Sequence, residues 1–313
     1  MDNPMKSRIL TVTFWLVLPL SAFVVMSQNF SELESPGAMA ADNRCDRFIQ
    51  TAEDLWMQNN FEGSDAALQK ARGICPERAE IYWRLARNGY NRLEDIPRDQ
   101  KPAPRKLFEI YGRLERQADK CIAVDPRDGN CYLWKALCLG NRMMYQSNIK
   151  NIPLVAGLEA TIKRGLALRP AYRSTNGAFD SLGDLYSMLG AFYRILPEWL
   201  CAFPFKQIVG TCGDLNQAVA FQKEAVAREP RRIEYLIELG ANLLCRGQKR
   251  NRPEDLVEAR KILTDLQSRS SSQPVDLIDQ DHARMLLVNP ELACDYSRAA
   301  QVKVSKEVFK KKL

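Results

Sequence analysis

Few residues in this 313-residue chain are of the types that perform acid–base or nucleophilic chemistry together. His282 is the only histidine and stands near the end of the chain, so no Ser/His/Asp set can be assembled. The segment Gly210–Gly213 lacks the lysine and the strand context of a phosphate-binding loop. Carboxylate pairs such as Glu94-Asp95 are typical of helix starts and loops. The sequence therefore predicts a protein that is not an enzyme and uses no cofactor.

The nine cysteines are the second group with possible chemistry. None shows Cys-x-x-Cys spacing, and with a single histidine the chain does not support a Cys/His zinc site, so we predict no metal. Outside the cytoplasm, cysteines form disulfides. We predict one bridge between Cys45 and Cys75, which flank an antiparallel helix pair. A second is predicted between Cys201 and Cys212, within one long loop.

Packing is the alternative role for these cysteines. A free cysteine behaves as a small buried apolar residue, and we predict that role for Cys138 and Cys245. Because the number of cysteines is odd, at least one thiol stays unpaired within the chain.

The first 40 residues have the features of an export segment. Lys6 and Arg8 provide a basic start, and residues 9–26 are largely apolar. An Ala-x-Ala motif at residues 38–40 then offers a cleavage site. The apolar run ends well before that motif and is nearly long enough to span a bilayer, so an uncleaved N-terminal anchor is the alternative. Both interpretations place residues 41–313 in the periplasm or cell envelope, with membrane contact only if the segment is retained.

Basic residues outnumber acidic ones, giving a formal net charge of +7. The charge is spread along the chain, which is typical of a solvated surface. The densest basic run, residues 246–252, is predicted to be a solvated loop between two helices. Lys303–Lys312 is predicted to be a frayed basic helix end. Neither run is interleaved with aromatic residues, so we predict no nucleic-acid partner.

Helical periodicity runs through almost the entire chain beyond residue 43. Helices are predicted over 44–59, 62–73, 80–93, 106–124, 131–144, 154–168, 179–192, 215–228, 233–245, 255–267 and 279–287, with another from Glu291. Alternating β patterns are absent, which argues against a β-rich fold.

A small residue stands five positions before a proline at four helix ends. The pairs are Ala71 and Pro76, Cys121 and Pro126, Gly165 and Pro170, and Ala225 and Pro230. The small residue lets two helices approach closely, and the proline ends the second helix. This recurrence predicts an all-α fold of stacked antiparallel helical hairpins, an α-solenoid. The prolines are unevenly spaced, so the repeats are irregular with inserted loops, of which residues 192–212 are expected to carry specificity.

Aromatic residues recur on the first helices of two adjacent hairpins. They are Tyr82, Trp83, Tyr90, Tyr132, Trp134 and Tyr145. In stacked hairpins these helices line the concave surface, which favours a groove for a peptide, a protein or an apolar ligand. The predicted binding residues are Tyr82, Trp83, Arg84, Asn88, Tyr132, Trp134 and Lys135. Core packing between hairpins is the alternative, and we favour it for most of the aromatic residues.

The spacing of small and apolar residues resembles the tetratricopeptide repeat. Four residues match the fourth, seventh, eighth and eleventh positions of that repeat: Leu236, Leu239, Gly240 and Leu243. In the preceding unit, its later small and proline positions are matched by Ala218, Ala225 and Pro230. The resemblance implies tetratricopeptide-like helical hairpins.

Residues 120–266 also resemble the T-component of tripartite ATP-independent periplasmic (TRAP) transporters. The matching residues are Gly183, Tyr186, Leu196, Pro197, Gly213, Asp214, Ala218 and Ala225. The resemblance implies an exported all-helical protein that works beside a periplasmic solute-binding protein. The chain departs from the many lipoproteins of that family, because Cys45 follows Asn43-Arg44, which is not a lipidation box.

These observations lead to a prediction and an alternative. We predict an exported, non-enzymatic scaffold that mediates protein–protein interaction in the cell envelope, accessory to a TRAP-type solute transporter. Its partner would be a periplasmic solute-binding protein or a transporter component. The alternative is a periplasmic binding protein that holds an apolar small molecule within the solenoid.

Overall fold

The computed structural model describes residues 36–94, 96, 100–146, 148–175, 179–270 and 274–298. The α-helices are α1 Pro36–Met57, α2 Phe61–Ile74, α3 Ala79–Glu94, α4 Pro104–Val124, α5 Gly129–Met143, α6 Asn148–Leu168, α7 Ser181–Ile195, α8 Phe205–Val209, α9 Leu215–Arg228, α10 Ile233–Arg250, α11 Pro253–Leu266 and α12 Pro274–Val288. Within the described ranges, 3-10 helices cover Glu198–Cys201 and Pro290–Asp295. These ranges contain no β-strand, only one isolated bridge between Arg173 and Asp180.

Helices that follow one another pack as hairpins, which confirms the predicted all-α repeat architecture. The pairs are α1 with α2, α3 with α4, α5 with α6, α7 with α9, and α10 with α11. Successive hairpins stack through contacts such as those of α4 with α5 and α9 with α10. Helix α12 and the second 3-10 helix cover α10 at the C-terminal end. Stacking buries the apolar face that each hairpin exposes alone.

The small residues before the prolines lie where two helices meet. Ala71, Cys121 and Ala225 are fully buried. Each carbonyl accepts the N–H of the residue that caps its helix. A Cβ atom at Gly165 would lie 2.9 Å from Cδ2 of Leu185, so a larger residue would push α6 away from α7. The pattern therefore reports close helix approach, as predicted.

Two hairpins repeat one tyrosine contact next to their prolines. The Tyr82 hydroxyl donates to the carbonyl of Pro76 at 2.7 Å, and the Tyr132 hydroxyl donates to the carbonyl of Pro126 at 3.2 Å. Each tyrosine stands six residues after its proline and fixes the entry into its helix.

The basic run at residues 246–252 was predicted as a loop, and that prediction is wrong. Helix α10 continues to Arg250 and ends at Asn251, whose φ of 51° is left-handed and whose N–H bonds the Gly247 carbonyl. The guanidinium of Arg246 donates to both carboxylate oxygens of Asp255, at 2.6 and 2.8 Å. This ion pair holds α10 against α11, so the run is mostly helix.

Other element bounds also differ from the prediction. Helix α6 begins at Asn148 and passes through Pro153, and α7 continues to Ile195. The predicted α-helix from Glu291 is instead the 3-10 helix Pro290–Asp295. No described helix has both the length and the apolar character needed to cross a bilayer.

The predicted terminal segments fall mostly outside the described residues. Residues 1–35 of the predicted export segment and the basic end Lys303–Lys312 lie there. The predicted cleavage motif at residues 38–40 lies within α1.

Eight of the nine cysteines lie in pairs at bonding distance. The Cα–Cα distances are 6.3 Å for Cys45 and Cys75, 5.4 Å for Cys121 and Cys131, 5.1 Å for Cys201 and Cys212, and 4.8 Å for Cys245 and Cys294. The first and third pairs are the predicted ones. Cys138 is buried and unpaired. Cys245, predicted to be a packed thiol, instead joins α10 to the C-terminal segment, because the 3-10 helix folds back onto α10.

Candidate functional site

The two tryptophans of the predicted concave surface lie inside the core. Trp83 is 2% exposed and its ring centroid is 4.9 Å from that of Tyr172. Trp134 is 1% exposed and stacks on Phe179 at a centroid distance of 5.4 Å. Burial of this kind contributes to folding, and it leaves little ring surface for a partner.

The predicted polar contacts at Arg84 and Asn88 are likewise internal. The guanidinium of Arg84 pairs with Glu53 and lies 4.4 Å from the ring centroid of Trp83. The amide of Asn88 donates to the hydroxyl of Ser64 at 2.8 Å. Both side chains connect α3 to the first hairpin.

The other predicted binding residues differ in exposure. Tyr82 is buried, whereas Tyr132 and Lys135 are partly exposed. The ammonium of Lys135 pairs with Asp119 at 2.8 Å. The seven predicted residues therefore do not form one open surface, because most of them fill the contacts between helices.

A cavity of about 950 Å³, which we name the central cavity, lies beside this core. Its aromatic wall is formed by Trp56, Phe61, Tyr90, Trp134 and Phe179. Trp56 meets Phe179 edge to face, and Tyr90 packs near Trp134. The first three hairpins and the segment just before α7 thus contribute one continuous apolar wall.

The rest of the central cavity is strongly charged. The lining carboxylates are Glu94, Asp184, Glu229, Glu234, Glu238, Asp276 and Asp279. The lining guanidiniums are Arg231, Arg232, Arg269 and Arg298. A compartment for a purely apolar small molecule, as our alternative required, would not expose this many ionised groups. The cavity therefore favours a ligand that is apolar at one end and charged at the other.

Two guanidiniums organise four of these carboxylates, which we name the acidic floor: Glu94, Asp184, Glu234 and Asp279. Arg232 pairs with Asp184 at 2.8 Å and with Glu234 at 2.7 Å. Arg298 pairs with Asp279 at 2.8 Å and lies 3.5 Å from Glu234 and 3.8 Å from Glu94. Burial raises the pKa of Glu234, but Arg298 and Arg232 outweigh it and hold that pKa at about 2.

Two oxygens of the acidic floor have no hydrogen-bond donor in the described part of the chain. Asp184 and Asp279 are 6% and 0% exposed, and no described group donates a hydrogen bond to Oδ2 of either residue. Burial raises the pKa of both carboxyl groups to about 7, although Arg232 and Arg298 oppose the shift. The floor is therefore short of positive charge.

Sequence reasoning missed the acidic floor because its members come from α3, α7, α10 and α12. One signal was available. Asp279 stands on the same helical stripe as the buried Ala283 and Leu286, where an apolar residue is expected. A carboxylate in that position indicates a buried polar function.

The acidic floor does not have the geometry of a metal site. Within the described residues, the only three metal-ligand groups with ligand atoms within 4.8 Å of one another are Cys121, Asp128 and Cys131. The two sulfurs of that group lie in a disulfide pair, so they do not act as thiolate ligands.

A second surface is formed by residues 198–212, which we name the apolar insertion. It contains the 3-10 helix Glu198–Cys201 and helix α8, and its ends are joined by the pair Cys201 and Cys212. Trp199, Phe203 and Ile208 are 60%, 82% and 64% exposed. None of the residues that line the central cavity belongs to it.

The apolar insertion is fixed to the helical core at several points. Glu198 pairs with Arg250 at the end of α10 at 2.6 Å. Val209 is buried, and a Cβ at Gly210 would lie 2.8 Å from Ala156 of α6. The exposed side chains therefore stand on an anchored segment.

Comparison with solved structures supports the fold. The chain is similar to TTC0263, a thermophilic TPR protein of Thermus thermophilus, at 14% identity and a TM-score of 0.50, covering 79% of this chain and all of that one. It is also similar to the MamA protein, at 12% identity, 74% and 100% coverage and a TM-score of 0.41. PilF of Pseudomonas aeruginosa matches at 13% identity, 82% and 90% coverage and a TM-score of 0.45.

No protein-family model matches the chain, and no curated protein matches it. The similarity to the Thermus protein shows a shared tetratricopeptide-like helical fold and no more, because only 14% of the residues are identical.

Proposed function

We propose that this protein is an exported, non-enzymatic helical-repeat scaffold that binds a protein partner through the apolar insertion. The observation that carries the proposal is the exposure of Trp199, Phe203 and Ile208 on one anchored segment. Phe205 of the same segment is 42% exposed and meets Trp199 edge to face at 4.9 Å. Clustered exposed apolar residues mark interaction sites, whereas single ones are ordinary.

The composition and the anchoring of the insertion both suit protein binding. Trp and other aromatic residues dominate the binding energy of protein interfaces. A disulfide pair and the ion pair of Glu198 with Arg250 hold the segment, so binding would cost little conformational entropy.

Export is supported by the cysteines and by the N-terminal sequence. Eight of nine cysteines lie at disulfide geometry, and such pairs persist in oxidising compartments and are rare in the cytosol. The TRAP resemblance suggests a periplasmic solute-binding protein or a transporter component as the partner.

The test compares two triple variants in cells that express the full chain. Trp199→Ser/Phe203→Ser/Ile208→Ser removes the insertion's apolar surface. Val257→Ser/Leu277→Ser/Val288→Ser is the matched control, since those residues are also well exposed, at 69%, 58% and 68%, but stand on α11 and α12. We expect crosslinking in envelope fractions to recover a partner with wild type and control but not with the insertion variant. Equal recovery with both variants would contradict the proposal.

The TRAP association has its own test. Genes for transporter membrane subunits beside the gene for this chain, and a solute-binding protein among the crosslinked partners, would support it. Recovery of an unrelated envelope protein would support the scaffold function and contradict the association with a transporter.

A further inference from the structure

Among the described residues, the central cavity is lined by more carboxylates than guanidiniums. The acidic floor brings together four carboxylates, and only Arg232 and Arg298 pair with them among the described residues. Glu238, beside the floor, has its own partner in Arg194 at 2.8 Å. The floor therefore carries more negative than positive groups.

The deficit is located at two atoms. Oδ2 of Asp184 and Oδ2 of Asp279 are buried and receive no hydrogen bond from any described group. A buried carboxylate oxygen without a donor is costly, because desolvation is not repaid. A cation placed at either atom would supply both a hydrogen bond and the missing positive charge.

An aromatic surface stands within ligand reach of the floor. The guanidinium carbon of Arg232 is 5.8 Å from the ring centroid of Phe179, which stacks on Trp134. The indole N–H groups of Trp56 and Trp134 also have no acceptor among the described residues. One small molecule could therefore contact the acidic floor and the aromatic wall together.

We propose that the central cavity binds an organic cation: an ammonium or guanidinium group carried on an aromatic or apolar body. The cationic group pairs with Oδ2 of Asp279, and the body packs against the apolar lining of the cavity, where Tyr90 and Met188 are partly exposed. The cavity volume of about 950 Å³ is in the range of pockets that bind small organic molecules. Metal ions fit less well, since no three carboxylates of the floor bring their oxygens within 4.8 Å of one another.

Three probes that share one ring test the charge requirement on the wild-type chain. They are phenethylammonium, its neutral isostere 2-phenylethanol, and the anion 3-phenylpropanoate. We expect phenethylammonium to bind at least about tenfold more tightly than 2-phenylethanol in isothermal titration, since hydrogen bonds to charged groups are worth this much. The anion should not bind. Equal affinity for amine and alcohol, or no binding of the amine, would overturn the proposal.

Variants then assign the site. Asp279→Asn keeps the shape of the side chain and should weaken the binding of phenethylammonium about tenfold or more. Asp281→Asn is the matched control: it lies on the same helix and removes the same charge, but its side chain is 70% exposed and paired with Arg284. Asp184→Asn provides a second variant within the floor. If both floor variants bind like the control, the proposal is wrong.

The cation could come from a free amine or from a peptide side chain. Titration of the blocked dipeptide N-acetyl-Phe-Lys-amide beside phenethylammonium separates the two sources. Tighter binding of the dipeptide indicates a peptide ligand, and tighter binding of the amine indicates a small molecule. Both results require the proposed cation site. Neither result depends on the apolar insertion, so a failure of the crosslinking test would not change them.

Discussion

The central cavity and the apolar insertion both present aromatic rings, yet their surroundings are opposite. Trp134 is held between Phe179 and Tyr90 and faces a charged floor. Trp199 contacts Phe205 and stands largely in solvent. The same residue type therefore builds a wall in one region and an exposed contact surface in the other. The position of an aromatic residue in the stack of hairpins decides its role.

The largest expected difference between the two regions is in stability. Trp134→Ala should lower the free energy of unfolding by about 3–5 kcal/mol, because it empties a packed site. Trp199→Ala should lower it by less than about 1 kcal/mol, since that ring is mostly in water already. Chemical denaturation of the two variants measures both values. Similar losses in the two variants would contradict the distinction.

The disulfide pairs also distinguish the two regions. Cys245→Ser/Cys294→Ser should lower the free energy of unfolding by about 4 kcal/mol, because this pair closes a long loop. It should also weaken amine binding, because the pair fixes the segment that carries Arg298 into the cavity. Cys201→Ser/Cys212→Ser opens a shorter loop and should lower the free energy of unfolding by about 3 kcal/mol or less. This variant should lose partner binding and keep amine binding. Unfolding curves and amine titrations of both variants test the separation.

Alkylation provides the control for this comparison. In the denatured but unreduced protein, Cys138 should be the only cysteine that reacts. Labelling of all nine cysteines would remove the basis for the disulfide prediction and the support it gives to export.

The sequence predicted the hairpins well, because proline and the small residue before it act locally. It also predicted the pairs Cys45–Cys75 and Cys201–Cys212, each within one hairpin or loop. Cys245 pairs with Cys294 across 49 residues, and only the fold-back of the last segment brings them together. Contacts of this range leave no local signal.

The candidate site was harder to predict for the same reason. The spacing of Trp83 and Trp134 identifies a helix face but does not tell whether that face meets solvent or another hairpin. The acidic floor joins carboxylates from four distant helices, so its charge deficit exists only in the folded chain.

A smaller effect is expected in the pH dependence of the cavity region. The pKa of Asp279 is raised to about 7 by burial, with Arg298 opposing and Glu234 and Asp276 adding to the shift. The folded state therefore binds a proton that the unfolded state has released, and stability falls as pH rises. Between about pH 5 and about pH 7, deprotonation of Asp279 should lower the free energy of unfolding by about 2 kcal/mol.

Asp279→Asn should flatten that part of the profile, whereas the insertion triple variant should keep it. Thermal unfolding at several pH values measures how steeply stability changes with pH in each protein. An unchanged or steeper slope in Asp279→Asn would contradict the assignment.

The separation of the two regions is tested most directly by titrating phenethylammonium into three proteins. These are wild type, Asp279→Asn, and Trp199→Ser/Phe203→Ser/Ile208→Ser. We predict that the insertion variant binds the amine like wild type and that Asp279→Asn binds it at least about tenfold more weakly. Weakened binding in the insertion variant with unchanged binding in Asp279→Asn would contradict this separation.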